Sequence, residues 1–278
     1  MSKELMAISD SNVQAQVAVA RTYPRDLAAS IKKAKNAIAL SKGLAESCIY
    51  AFERGGKMIT GPSIRLAEIM LGSWGHMHFG AQVLGESKCG RFIEVQAIVI
   101  DRESNNVCAW PVNRSIMTSG KDKKGNPKPQ TKFSTDMIGV TAAAACSIAL
   151  RQAAFKVMGV EFANDLYEHA KKVALGKGVE NEDIREKALG IFEKSGISRD
   201  RIFDYFNVNN KADFNKEDLT QENLELMVGI KTSIKEGHLK KENAFNHEFD
   251  AETGEVQDKA KELNDSLLGN GQESEAQQ

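Results

Sequence analysis

From Ser134 to Met158 the chain runs for 25 residues with no proline and a single glycine, Gly139, and its centre reads TAAAACSIAL. Alanine and leucine head the helix-propensity scale. Ser134 or Thr135 can cap the first turn, and Asp136 answers the positive end of the helix dipole. The spacing therefore predicts one helix, about 35 Å long at 1.5 Å per residue, enough to cross a whole sheet. Its surface is small and apolar nearly all round. That predicts close packing on more than one side, against a sheet and against a neighbouring subunit.

A sheet is predicted just upstream. Residues 76–116 divide into HMHFGAQVLG, RFIEVQAIVID and NVCAWPVNRSI, separated by the turn phrases ESKCG and RESNN. Ile93, Val95, Ala97 and Val99 give the central strand an apolar face, and Pro111 assigns the third strand to an edge or a bulge. Further upstream, Cys48–Ile59 reads as a hairpin around Gly55-Gly56. Gly61-Pro62-Ser63 opens a short helix carrying Leu66, Ala67, Met70, Leu71 and Trp74 on one side, with Pro62 at or near its first position. An earlier helix starts after Pro24, follows Leu27, Ile31, Ala34 and Ile38, and ends near Gly43. Residues 1–22 are polar and aperiodic and are expected to be loosely ordered.

Beyond Gly178 the pattern changes to three short amphipathic helices. They are marked by Ile184, Ala188 and Ile191, by Ile202, Phe203 and Phe206, and by Leu226, Ile230 and Ile234. Ile184, Ile191, Phe203, Phe206, Ile230 and Ile234 are the expected core of this module. The expected class is α+β: an antiparallel sheet, made of a β-hairpin and a three-stranded meander, packed on a long helix, with a small C-terminal helical module. The expected organisation is a flexible N-terminus (1–22), a core (23–178), a helical module (179–238) and a disordered acidic tail (239–278).

Charge separates along the same line. The whole chain is nearly neutral, at −1, yet residues 1–178 hold 24 Lys and Arg against 15 Asp and Glu, and residues 179–278 hold 13 against 23. A basic front half points to an anionic partner, and an acidic rear to solvation, a protein partner or self-masking. The basic residues cluster suggestively. Arg114 ends the third strand; Lys121, Lys123, Lys124, Lys128 and Lys132 follow in a loop almost devoid of apolar residues. Lys57 lies in the hairpin, Arg65 on the short helix, and Arg151 and Lys156 on the long one. Together they would line a groove that tracks a phosphate backbone. The competing reading of the lysine loop is solvated surface charge. Arg151, amid alanines, needs an anion, either a phosphate or an internal carboxylate such as Glu68 or Glu94.

Other chemistries find little support. No G-x-x-x-x-G-K-[ST] phrase is present, so ATP-driven strand exchange is not expected. His76, His78 and Cys89 make an incomplete zinc set, and no nucleophile–base–acid set stands out, so no metal, cofactor or enzymatic activity is expected. Cys48, Cys89, Cys108 and Cys146 form no CxxC pair and read as reduced thiols. Residues 1–20 lack a signal-peptide pattern and no 18-residue apolar run occurs, so a soluble cytoplasmic protein without membrane association is expected. Tyr50, Phe52, Trp74, Phe79 and Trp110 read mainly as core. A protein that holds the backbone, and leaves bases free to pair, fits this better than one that stacks on bases.

The phrases RLAEIMLGSWG (Arg65–Gly75) and ALRQAAFKVMG (Ala149–Gly159), in the order hairpin, helix, three strands, long helix, resemble the DNA single-strand annealing superfamily. That group includes the eukaryotic Rad-type annealing proteins and the phage proteins RecT, Red-beta and Erf. The resemblance covers about residues 25–160. It implies ATP-independent annealing in homologous recombination by an oligomeric ring or helical filament. Single-stranded DNA and the annealed duplex intermediate would be held in a basic groove, with Arg65, Arg151 and Lys156 at the matching basic positions. It also implies that the C-terminal helices recruit a host single-strand-binding protein or a phage exonuclease, in the cytoplasm of a bacterial host. The alternatives are a sequence-indifferent replication accessory protein that binds nucleic acid, and a non-catalytic assembly scaffold.

Overall fold

The computed structural model describes residues 3–54, 57–118, 120, 127–176, 182–208, 211, 218–236, 239–246, 249–250 and 255–256. The chain is α+β. Two compact units emerge. One comprises Met1–Tyr50, Thr60–Thr118 and Thr131–Glu180, the other Ala51–Ile59, Ser119–Gln130 and Asn181–Gln278.

In chain order the elements through the first unit are helices α1 (Lys3–Thr22), α2 (Leu27–Ala39) and α3 (Lys42–Ser47), the hairpin strands β1 (Ile49–Arg54) and β2 (Lys57–Pro62), and helix α4 (Ile64–Trp74). Strands β3 (Met77–Glu86), β4 (Phe92–Asp101) and β5 (Asn106–Ser115) follow, then helices α5 (Thr135–Met158) and α6 (Val160–Leu175). The polar N-terminal segment, expected without regular structure, forms the helix α1. Helix α6 was not anticipated, although Ala163, Leu166, Tyr167, Ala170 and Ala174 recur at helical spacing and are buried.

The meander forms in the order β3-β4-β5, antiparallel throughout. Pro111 sits on the edge strand β5, opposite Gln96 and in unbroken register. The one irregularity falls in β3, between Val83 and Gly85. Ile93, Val95, Ala97 and Val99 are buried on the face turned to α5. From α5 come Ala142, Ala145, Ala149 and Ala153, spaced three or four apart and all buried. Side chains this small let the helix axis lie close to the sheet. Its opposite side leaves Met137 and Val140 exposed, at 47% and 62%. By length and composition alone α5 would also suffice to cross a bilayer. Helix α2 packs on α4 and α6, α3 on α6, and α4 on α5.

Ser63 joins the hairpin to α4. Pro62 is the last residue of β2 rather than the first of a helix, and Ser63 is the N-cap. The Ser63 hydroxyl accepts from the Arg65 and Leu66 amides and donates to the Ser47 carbonyl at 2.6 Å, while its own amide donates to Cys48 O at 2.9 Å. The two ends of the hairpin are thereby fixed side by side.

A second anchor lies at the start of α2. The Arg25 side chain is buried under an ion pair with Asp101 and another with Glu103, whose Oε2 is 2.8 Å from Nε. The guanidinium also stacks 5.3 Å from the Trp74 ring. Burial pushes the Asp101 carboxyl up, but hydrogen bonds from Ser104, Arg25 and the Glu103 amide outweigh it and hold the group below its ordinary value. Glu103 is lowered too, chiefly by its hydrogen bond from Arg25. This clamp ties the entry of α2 to the β4–β5 turn and the end of α4.

In the second unit, α7 (Glu182–Lys194), α8 (Arg199–Phe206) and α9 (Gln221–Lys235) are followed by the short strands β6 (Phe249–Asp250) and β7 (Glu255–Val256). Its interior matches the expected one in part. Phe203 and Ile230 are buried as expected, and Ile184, Phe206 and Ile234 are half-buried, but Ile191 is 40% exposed, while Leu189, Phe192, Ile202, Leu224 and Met227 are buried. The cause is helical phase: Arg185, Leu189 and Phe192, at i, i+4 and i+7, take the inward line of α7. Arg185 is tolerated inside because its Nε donates to Leu219 O at 2.8 Å. Leu239, Ala244 and Phe245, expected to fall in the tail, are buried, and Phe245 meets Phe192 edge-on at 5.0 Å. Most of the expected disordered tail lies outside the described residues. The hairpin tip belongs to this unit: the buried Ser233 hydroxyl of α9 donates to Ala51 O at 2.7 Å and accepts from Ala51 N at 3.1 Å.

Two outcomes test this account. Arg25→Ala leaves two carboxylates without their buried cation and should cost about 3 kcal/mol at neutral pH. Depressed carboxylates contribute stability above their unfolded values, about 4, and lose it as pH falls toward their folded values. Melting temperature should therefore drop more steeply below about pH 4 in the native chain than in Arg25→Gln. Ser233→Ala strands both Ala51 backbone groups and should cost about 1–3 kcal/mol in denaturant melts; a change within error would show that the Ala51 contact contributes nothing.

Candidate nucleic-acid interface

The candidate phosphate ligands described in the first unit, Arg65, Arg114, Lys132, Arg151 and Lys156, do not converge on one spot. Arg151 and Lys156, five residues apart on α5, point about 140° apart around the helix, from its 3.6-residue turn. Each finds an aromatic ring. The Arg151 guanidinium lies 4.6 Å from the centroid of Tyr50, at the base of the hairpin, and its Nη1 donates to Pro62 O at 3.4 Å. Lys156 Nζ lies 5.9 Å from the ring of Trp110 on β5. Such contacts contribute about 0.5–1 kcal/mol when exposed and leave the positive charge intact.

The choice posed for Arg151 is resolved in part. Glu68 is taken by Arg65, at 2.7 Å within α4. Among the described residues Arg151 has no carboxylate partner. It is half-buried, held by a π face and a carbonyl, and its charge is not neutralised.

The remaining candidates occupy other places. Arg114 is half-buried opposite Ile93, on the sheet face turned to α5. At the same end of the sheet Lys132 pairs with Glu86 at 2.6 Å, and its backbone bridges to Met117. Exposed pairs such as Lys132–Glu86 and Arg65–Glu68 contribute about 0–1 kcal/mol, so an incoming phosphate would displace the carboxylate at small cost. Lys128 is exposed, and its amide donates to Gly120 O at 2.7 Å. Lys121, Lys123 and Lys124 lie outside the described residues, as does the Lys57 side chain, although Lys57 opens β2.

Along the first unit, then, Arg114 and Lys132 sit near one end of the strands, and the Lys156 ammonium lies over Trp110, four strand positions from Arg114, about 13 Å at 3.3 Å per residue. A strand with phosphates along its length could touch both groups.

His76 and Cys89 are at opposite ends of β3, and no group of three potential metal ligands occurs among the described residues. His76 instead hydrogen-bonds Tyr23 O at 2.8 Å through Nε2. All four cysteines are free, and burial pushes the Cys48 thiol up to about 12. Comparison with protein-family models, with curated proteins and with solved structures finds no match to this chain.

The sequence reading missed the positioning role of the aromatics. Tyr50 and Trp110 read as core, yet both are half-buried and each carries a cation from α5 on its face. Phe79, also read as core, is 40% exposed. Only an aromatic and a basic residue in neighbouring elements hinted at such pairs, and that hint is weak.

One consequence concerns stability. Because no buried carboxylate depends on Arg151, Arg151→Ala should lower stability by only about 1 kcal/mol. A loss of about 3 kcal/mol or more in thermal or denaturant melts would reveal a buried anionic partner.

Proposed function

We propose that this chain binds single-stranded DNA through its phosphates and anneals complementary strands without ATP, as a homo-oligomer acting in homologous recombination. The observation that carries the reading is Arg151. Its guanidinium stands on an alanine-lined helix, held from behind by a ring and a carbonyl, with no carboxylate among the described residues to neutralise it. Such a fork binds phosphate, like carboxylate, with two parallel hydrogen bonds. The spread of Arg114, Lys132 and Lys156 along the unit supports a strand rather than a nucleotide. Phosphate contacts carry no sequence information and leave base edges free to pair, as annealing demands. The exposed Met137 and Val140 side of α5 supports self-association. The acidic C-terminal helices are suited to a protein partner, a single-strand-binding protein or an exonuclease, more than to DNA.

Binding of a labelled oligonucleotide should weaken steeply with NaCl, with a log–log slope of about −0.7 per phosphate contacted. Base composition should matter little. Complementary oligonucleotides should anneal faster with the protein and without ATP, and Arg151→Ala should bind about tenfold more weakly and anneal more slowly while keeping its fold. A flat salt titration excludes the phosphate reading. Binding without annealing would transfer the protein to the class of replication accessory factors.

A further inference from the structure

Four groups at the hairpin base form a unit that the groove as described does not explain. Arg151 lies over the Tyr50 ring, and Gly61 of β2 is next to its Cε1. A methyl group at position 61 would touch Tyr50 Cε1 at 3.4 Å. That is an ordinary contact, and Gly61 does not have the positive φ seen at Gly75 or Gly159, so no glycine conformation is needed there. The next residue, Pro62, turns its carbonyl to Arg151 Nη1. The position of Pro62 is in turn fixed by Ser63, which ties β2 back to Ser47 and Cys48.

An arginine side chain gives up much of its rotamer freedom when it is ordered. Here a π face and a carbonyl have already restricted it, and neither cancels its charge. Among the described residues nothing else bonds the guanidinium, which leaves its remaining nitrogens to an anion. We infer that Tyr50 is a positioning residue: its ring holds Arg151 in the orientation that receives a backbone phosphate. This rests on the phosphate-binding reading above and assigns to Tyr50 a role separate from base stacking, since the face toward Arg151 is occupied.

The test uses the full chain and a labelled thymidine 30-mer, titrated between 50 and 200 mM NaCl. Native protein, Tyr50→Phe, Tyr50→Leu, Tyr50→Met, Arg151→Ala and the double variant Tyr50→Leu/Arg151→Ala are compared, each with a melting curve. Arg151→Ala should bind about tenfold more weakly and show a salt slope shallower by about 0.7, one phosphate lost. Tyr50→Leu should do the same, Tyr50→Phe should keep the native slope, and the double variant should be no worse than Arg151→Ala. Should Tyr50→Leu fail to fold, Tyr50→Met, unbranched and lacking a π face, serves instead. The inference is overturned if Tyr50→Leu or Tyr50→Met keeps the native slope while Arg151→Ala does not, if Tyr50→Phe loses it, or if the two losses add. If the native protein shows no salt-dependent binding, the phosphate reading itself falls and this one with it.

Discussion

How closely α5 can approach the sheet decides where the groups of the first unit lie. The approach is set by Ala142, Ala145, Ala149 and Ala153 lying over Ile93, Val95, Ala97 and Val99. Packed interiors leave little room for adjustment, and even one extra methylene is felt. With the helix seated low, Arg151 on one flank reaches the hairpin base and Lys156 on the other reaches Trp110 on β5. A leucine in the stripe would lift the helix and separate both pairs without altering any basic residue.

That stripe was legible because it depends on local chemistry alone. Ser134 as N-cap, the absence of breakers, and Gly159 at the far end place α5 as the sequence predicts. The three strands were equally plain, since alternation and turn residues agree. Where one-dimensional pattern and three-dimensional phase part, the reading slipped. In α7 the isoleucines marked a stripe, but the buried line runs through Arg185, Leu189 and Phe192. An arginine on the inward side breaks the apolar pattern, and a bond to the carbonyl of Leu219, 34 residues away, helps make it tolerable.

The arginines show why the site was less legible than the fold. Arg25 and Arg151 both lie against apolar surroundings, and both stack on an aromatic ring. One is neutralised by two carboxylates from the phrase DRE at the β4–β5 turn, which on sequence alone reads as a solvated turn. The other meets a ring and a carbonyl, and keeps its charge. What separates an arginine paired with carboxylates from one that is not is which loop lands beside it, a property of topology that no spacing along the chain records.

The Ala51–Ser233 contact bears on how the protein is made. Its partners are 182 residues apart in the chain. A ribosome adds about 5–20 residues per second, so the hairpin tip emerges roughly 10–40 s before the helix that completes its unit. Local pairing can close the hairpin in microseconds, yet the Ala51 amide and carbonyl keep water as their partner until α9 arrives. The first unit can assemble on the ribosome in order of emergence. The second can be finished only after almost everything between its parts has been synthesised, and the contact order of the whole chain is raised by that one hydroxyl more than by any pairing in the meander.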